Sequence, residues 1–275
     1  MPRPAPRRRC SRSNASRAWP AMKFLDDYVT DFRTNVRQLP LAELIANIKA
    51  AYDVRIGGNP QNAFPAFVHF YNSLGDAQTK AQYAISSNLA RNLPGALMQD
   101  WLVHLALQLV VTRPELFIFT EVRVLFGTYP VWEAGNVSLK MPSEKSDLAI
   151  GYIRDEKGSI EKNASPWPPP VLTTMRAKCS VVPLVTMNSK IRVSQSEFFD
   201  WQGREQLMTK GNPHCLSIQV ALRKEMDYSI VEAAQASEKF FLLGSGSETS
   251  VIPDQSELDR LIHVVGEHMA RRMNG

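Results

Sequence analysis

Cysteine is scarce in this chain. The 275 residues hold three, Cys10, Cys179 and Cys215, an odd number that builds no disulfide framework. No Cys-x-x-Cys or His-x-x-x-His pair is present, which argues against a zinc site. Such cysteine usage points to a reducing compartment, and the expected location is the cytoplasm. Long apolar runs are missing too. The longest, Leu102 to Val111, is interrupted by His104 and Gln108, well short of the roughly 18 residues that read as a membrane span. There is no Gly-x-Ser-x-Gly turn for a serine nucleophile and no Gly-x-Gly-x-x-Gly phosphate cradle. Gly244-Ser245-Gly246 lacks the strand-to-helix setting that a nucleotide loop requires.

Acid is absent from the first twenty residues, which carry six arginines. The formal charge of +5 therefore belongs to this tail, because 26 basic residues face 27 acidic ones in the rest. Any nucleic-acid argument has to come from local charge. Residues 1–21 read most simply as a disordered or misassigned stretch ahead of a true start at Met22. A transit peptide and a phosphate-binding basic arm are the alternatives.

What is present is an ordinary globular composition, 44% apolar and 21% charged, enough for a core without staples. Residues 22–112 read as helical. Phe24, Tyr28, Phe32 and Val36 share one face, as do Leu41, Leu44, Ile45, Ile48 and Tyr52. Further helices are predicted over Ala63–Ser73, Asp76–Arg91 and Ala96–Val111. Turns fall at Gly57–Pro60 and Asn92–Gly95. After Pro114 the pattern becomes strand-like: Leu116–Thr120, Val122–Phe126, Val137–Met141, Leu148–Ile153 and the buried run Val181–Met187. Residues 154–170 are polar and proline-rich, hence a loop or a hairpin excursion. Ser194-Gln195-Ser196-Glu197 is a capping box that opens a helix to about Thr209. Cys215–Leu222 alternates as a strand, Val231–Leu242 reads as a helix, Gly244–Ser247 as a flexible link and Ser256–Met273 as a last helix. The expected fold is α/β (α+β), a mixed central sheet flanked by helices behind a helical N-terminal region. Residues 113–275 form its core, continuous with 95–112.

Two stretches carry chemistry. In Lys145-Ser146-Asp147-Leu148-Ala149-Ile150 an acid stands at the edge of an apolar strand. In Pro183-Leu184-Val185-Thr186-Met187-Asn188-Ser189-Lys190-Ile191-Arg192 a lysine stands near the end of another. Asn188 and Lys190, two apart, share a strand face, and Ser189 is expected to point the other way. A carboxylate that holds a hard cation and a lysine beside it are the set that phosphodiester hydrolysis requires.

These residues resemble the PD-(D/E)xK superfamily of type II restriction endonucleases. Ser146-Asp147 matches the Pro-Asp of that motif with the proline replaced. Asn188-Ser189-Lys190 matches its second half with the acid replaced by an amide. The segment Lys190–Asp227, with EFFDWQGREQLMTKGNPHCLS inside it, looks most like the heterodimeric enzymes that cut asymmetric sites. The resemblance covers roughly residues 95–227. A gap of about 40 residues separates Asp147 from Asn188, and the loop at 154–170 absorbs it at small entropic cost.

The resemblance implies a restriction-endonuclease-like core that makes Mg²⁺-dependent, sequence-specific breaks in double-stranded DNA and leaves 5′-phosphates. Asp147 would bind the metal, and Lys190 would position or activate the attacking water. Asn188 would be a neutral substitute. Glu205, then Glu197, would recover the missing acid from the following helix, and Asp100 is a further metal candidate. Glu197 also has a structural duty in the capping box. Arg192, Ser194, Gln195 and Arg204 are candidate base contacts, and Lys210 a candidate phosphate contact. Taken singly, each has a plain alternative. Asp147 reads as a strand-edge acid in water, Lys190 as an exposed strand-end lysine, and the polar run as an ordinary helix start. His104 reads as an interior histidine rather than a base. Cutting both strands needs two sites, so a homodimer or a related second subunit is expected. The alternatives are a catalytically silent DNA-binding partner subunit and a repair nuclease that cuts structured DNA.

Overall fold

The computed structural model describes residues 39–56, 62–76, 81, 87–125, 129–133, 136–140, 143–154, 159–164, 171–173, 180–225, 228–235, 238–247 and 249–273. The tail, the predicted helix over 24–36, the turn at Gly57–Pro60, Cys10 and Cys179 lie outside them. Helices α1 (Leu39–Ile56), α2 (Ala63–Gly75) and α3 (Ser87–Leu109) precede the first strand. The predicted break at Asn92–Gly95 is overturned, because α3 runs through it with Pro94 inside the helix. An interior proline costs roughly 3 kcal/mol. Leu93, Leu97, Met98 and Trp101 are all buried along the same stretch, and each such side chain contributes about 1.5–3 kcal/mol. Burial therefore outweighs the lost hydrogen bond.

The strands that follow are β1 (Phe117–Leu125), β2 (Tyr129–Glu133), β3 (Asn136–Lys140), β4 (Ser143–Arg154), β5 (Ile160–Glu161), β6 (Val171–Thr173) and β7 (Ser180–Val193). Helix α4 (Gln195–Gly211), β8 (Leu216–Lys224), α5 (Tyr228–Gln235), β9 (Phe240–Leu242), β10 (Gly244–Gly246), β11 (Val251–Pro253) and α6 (Gln255–Met273) complete the order. Two predicted strands merge into β1, and the hairpin β2–β3 contains a strand that periodicity missed. The predicted helix over Val231–Leu242 stops at Gln235, because Phe240-Phe241-Leu242 pairs in parallel with β8. Gly244–Gly246 is not a free link but one arm of a hairpin with β11.

The main sheet has seven strands in the order β6-β1-β4-β7-β8-β9, with β5 beside β4. It is mixed. The pairs β1–β4 and β4–β7 are antiparallel, whereas β1–β6, β7–β8 and β8–β9 are parallel. One buried cluster joins Leu44, Phe64, Trp101, Ile150, Val185, Val220 and Leu261, so α1, α2, α3 and α6 share a core with the sheet. Phe198, Trp201, Val231 and Phe240 form a second cluster under α4 and α5. At β4–β7 the register shifts between Ile150 and Gly151. Pro183, which has no N–H to give the ladder, pairs there with Gly151. A Cβ on Gly151 would meet the Val182 carbonyl oxygen at 2.2 Å, so only glycine admits this close approach. Among the described residues no helix is long and apolar enough to cross a membrane.

Candidate active site

The site begins where β4 and β7 part. Their ladder runs from Arg154↔Ser180 to Leu148↔Met187 and ends there, although both strands continue. The first residues of β4 stay with β1 as far as Leu125↔Ser143. The last residues of β7 stay with β8 as far as Val193↔Lys224. A cleft therefore opens inside the sheet at Asp147 and Asn188. Asp147 closes its apex: its Oδ2 accepts from the Ser189 N–H at 2.8 Å and the Ser189 hydroxyl at 2.9 Å. The hydroxyl of Ser146, 2% exposed, lies 3.0 Å from the carbonyl oxygens of both Leu148 and Met187. Asp147 stands fifth in a twelve-residue strand, and Asn188 and Lys190 lie within β7 rather than beyond it.

The cleft widens into a groove of about 380 Å³. Strand β4 contributes Lys145 and Asp147, whose spacing of two puts them on one face. Strand β7 contributes Asn188, Ser189 and Lys190, and β8 contributes Gln219, the register partner of Asn188. From α3 come Met98 and Gln99, and from α4 come Glu197, Asp200, Trp201 and Arg204. Ser189 does not point away as strand alternation predicts. The open seam frees its N–H toward the cleft, and its hydroxyl follows to the same Asp147 oxygen.

Each cation on the groove faces a carboxylate. Lys190 Nζ is 3.5 Å from Glu197 Oε1, Lys145 Nζ is 3.1 Å from Glu121, and Arg204 is 2.6 Å from Asp200. Exposed pairs of this kind are weak and screened by salt, so a phosphate backbone can compete for the cations. Glu197 serves twice. Its Oε2 accepts from the Ser194 N–H and hydroxyl, both at 3.0 Å, in the capping box the sequence predicts. Burial pushes its carboxyl up. The Ser194 bonds and the Lys190 ammonium outweigh that and hold it below the ordinary glutamate value. Glu121 has φ 51°, a left-handed conformation rare for a non-glycine residue, in the one position of β1 that skips the ladder opposite Asp147.

Two expected metal ligands stand elsewhere. Glu205 is held by the Thr209 hydroxyl and the Lys239 ammonium and does not line the groove. Eight residues beyond Glu197 amount to about 80° of extra rotation, which turns Glu205 away. Asp100 is 3% exposed and lies near Tyr52 among the helices. Its neighbour Gln99 takes the groove position, because one residue rotates a helix by about 100°. Of the candidate DNA contacts, Arg204 lines the groove, Arg192 pairs with Glu225 at 2.8 Å, and Ser194 is the N-cap. Gln195 is exposed at the start of α4 and Lys210 is exposed in its last turn. His104 is buried, and burial lowers its pKa, as suits an interior histidine. The Cys215 thiol is buried and pushed up to about 12, which makes it inert. The sequence reading missed Lys145, Asp200, Trp201 and Gln219. Lys145 had a signal in its spacing from Asp147, but Gln219 becomes visible only through the parallel β7–β8 register.

Among the described residues no three His, Cys, Asp or Glu side chains gather in a way that could hold a metal ion. Of the oxygen donors that line the groove, the carboxylates of Glu197 and Asp200 are paired with Lys190 and Arg204, which leaves the Asp147 carboxylate with the amides of Gln99, Asn188 and Gln219. One carboxylate with water and neutral oxygens suits Mg²⁺, which keeps several waters and needs only one or two carboxylates. It does not suit zinc, for which no His or Cys is at hand.

No protein-family model matches the chain, and no curated protein matches it. Solved structures do. A chain of the native BbvCI A2B2 tetramer, determined at low resolution, is similar with a TM-score of 0.57 at 11% identity, over 91% of this chain and 94% of that one. The likeness is one of fold, a restriction-endonuclease-like mixed sheet flanked by helices.

Proposed function

We propose that this chain is a Mg²⁺-dependent type II endonuclease that makes sequence-specific breaks in double-stranded DNA. The observation that carries the reading is the cleft between β4 and β7, which presents Asp147 and Lys190 to one groove on a restriction-endonuclease-like sheet. Asp147, oriented by Ser189, would hold the cation together with the amide of Asn188. When bound, Mg²⁺ supplies Lewis-acid polarisation of the scissile phosphodiester. Lys190 would leave Glu197 and position the attacking water. The water oxygen would bond to phosphorus as the P–O3′ bond breaks, and the departing O3′ would take a proton from a solvent water, which yields a 5′-phosphate and a 3′-hydroxyl. Glu197, whose carboxyl the Ser194 bonds and the Lys190 ammonium hold below the ordinary glutamate value, would take the water proton, whereas Glu205 and Asp100 do not line the groove. Arg204, Gln195 and Arg192 would meet base edges, and Lys145 and Lys210 phosphates.

Asn188 favours a second reading, a DNA-binding subunit without its own chemistry, paired with an active relative. The test is incubation of unmethylated plasmid with the pure chain in Mg²⁺ or in chelator. Discrete bands in Mg²⁺ alone are expected. Tight duplex binding with no cutting in any metal would replace the first reading by the second.

A further inference from the structure

We infer that Trp201 is a ligand-contacting residue of the groove, and that its indole N–H is given to a phosphate oxygen of the bound strand. That the phosphate belongs to DNA rests on the nuclease reading. Trp201 is 5% exposed. Its ring packs against Phe198 and Phe240, with centroids 5.8 Å and 6.5 Å away. It also lines the groove, on the α4 wall that carries Glu197, Asp200 and Arg204. Among the described residues its Nε1 is buried and meets no hydrogen-bond partner. A buried donor without an acceptor is costly, and a phenylalanine would fill an aromatic cluster without that cost. Packing therefore accounts for the ring of Trp201 and not for its N–H. A group that enters the groove accounts for both.

The chemistry of that group follows from the donor. An indole nitrogen gives one hydrogen bond and accepts none, so its partner is an acceptor and not a cation. The same groove holds the ammonium groups of Lys145 and Lys190. An oxyanion suits these three donors together, and on DNA that is the phosphate. The three differ in what they give up. Lys145 and Lys190 must leave Glu121 and Glu197 before they can meet a phosphate. Trp201 leaves no partner behind. Its contact is also neutral and releases no counterion, so added salt does not weaken it. Trp201 thus positions the backbone by a bond of constant strength, beside lysine contacts that fade as salt rises.

The test is a titration of the full chain, carrying ¹⁵N-labelled tryptophan, with a DNA duplex in chelator and separately with inorganic phosphate. The chain has five tryptophans, and the Trp201 indole cross-peak is the one that Trp201→Phe removes. It should move downfield with the duplex and less far, in the same direction, with phosphate. In binding assays Trp201→Phe should weaken duplex affinity about tenfold at every salt concentration, with an unchanged salt slope. Lys145→Gln should instead lower that slope by about one. Phe240→Leu loosens the same cluster but keeps the N–H. It should lower the melting midpoint and leave affinity unchanged. An equal loss of affinity in Phe240→Leu would assign the effect to packing and overturn the inference. So would a Trp201 cross-peak that stays in place while duplex binds, or that phosphate alone never moves. A cross-peak moved by phosphate in a chain that binds no duplex would support the phosphate contact and count against the nuclease reading alone.

Discussion

The two halves of β7 are built to different rules. From Val185 to Met187 the strand lies between β4 and β8, and all three residues are fully buried. From Asn188 onward it has lost β4, and Asn188, Ser189, Lys190 and Arg192 bring amide, hydroxyl, ammonium and guanidinium, with Ile191 and Val193 as the apolar members that keep packing. One strand thus serves as a rigid anchor at one end and as the wall of an open cleft at the other. The polar end stays in place because the apolar end cannot move, which is how a sheet holds reacting groups without a flexible loop.

Substitutions at the boundary between the two halves have the largest expected effect. Asp147→Ala should lower cleavage by roughly 10²–10³-fold or more. It also leaves the Ser189 N–H without its acceptor, so a modest loss in melting midpoint should accompany the loss of activity. In the anchored half, Ile150→Ala empties a fully buried position and should cost about 2–5 kcal/mol in urea unfolding. DNA binding below the transition should persist. Asn188→Asp places a second carboxylate opposite Asp147. If the neutral amide limits cation binding, this variant should reach half-maximal cutting at lower Mg²⁺. An unchanged or weaker Mg²⁺ dependence would remove Asn188 from the cation's neighbourhood.

The smallest effect concerns the cap. Ser194→Ala should cost about 1 kcal/mol. The folded Glu197 carboxyl titrates below its ordinary value of 4.5. Its stabilisation is therefore complete above that value and is lost as pH falls through the folded one. Ser194→Ala should consequently flatten the acid limb of the stability profile. An unaltered acid limb in urea titrations would show that the Ser194–Glu197 bonds do not hold the charge.

Much of the fold was legible because long periodic segments reported it. The capping box at Ser194, the last helix and the buried run of β7 fall where the sequence puts them. The errors share one cause, tertiary burial that overrides a local signal. Pro94 is carried inside a helix by the apolar residues around it, and Phe240–Leu242 leaves a helical pattern to pair with β8. For the site, Asp147 and Lys190 could be picked out because their residue types sit against apolar strands. The supporting acid could not, since Glu197 and Glu205 differ only in helical phase relative to a groove that forms from distant segments. Gln219 and Gln99 were out of reach for the same reason, as each enters through a neighbour that no spacing reveals.

The central claim is that Lys190 acts in the cleft and does not hold the fold. Cleavage of unmethylated plasmid in Mg²⁺ by the wild-type chain and by Lys190→Ala, with duplex binding and melting measured on both, tests it most directly. Discrete bands are expected from the wild type and a loss of roughly 10²–10³-fold in the variant, with binding and melting nearly unchanged. Equal cutting by both proteins would contradict it.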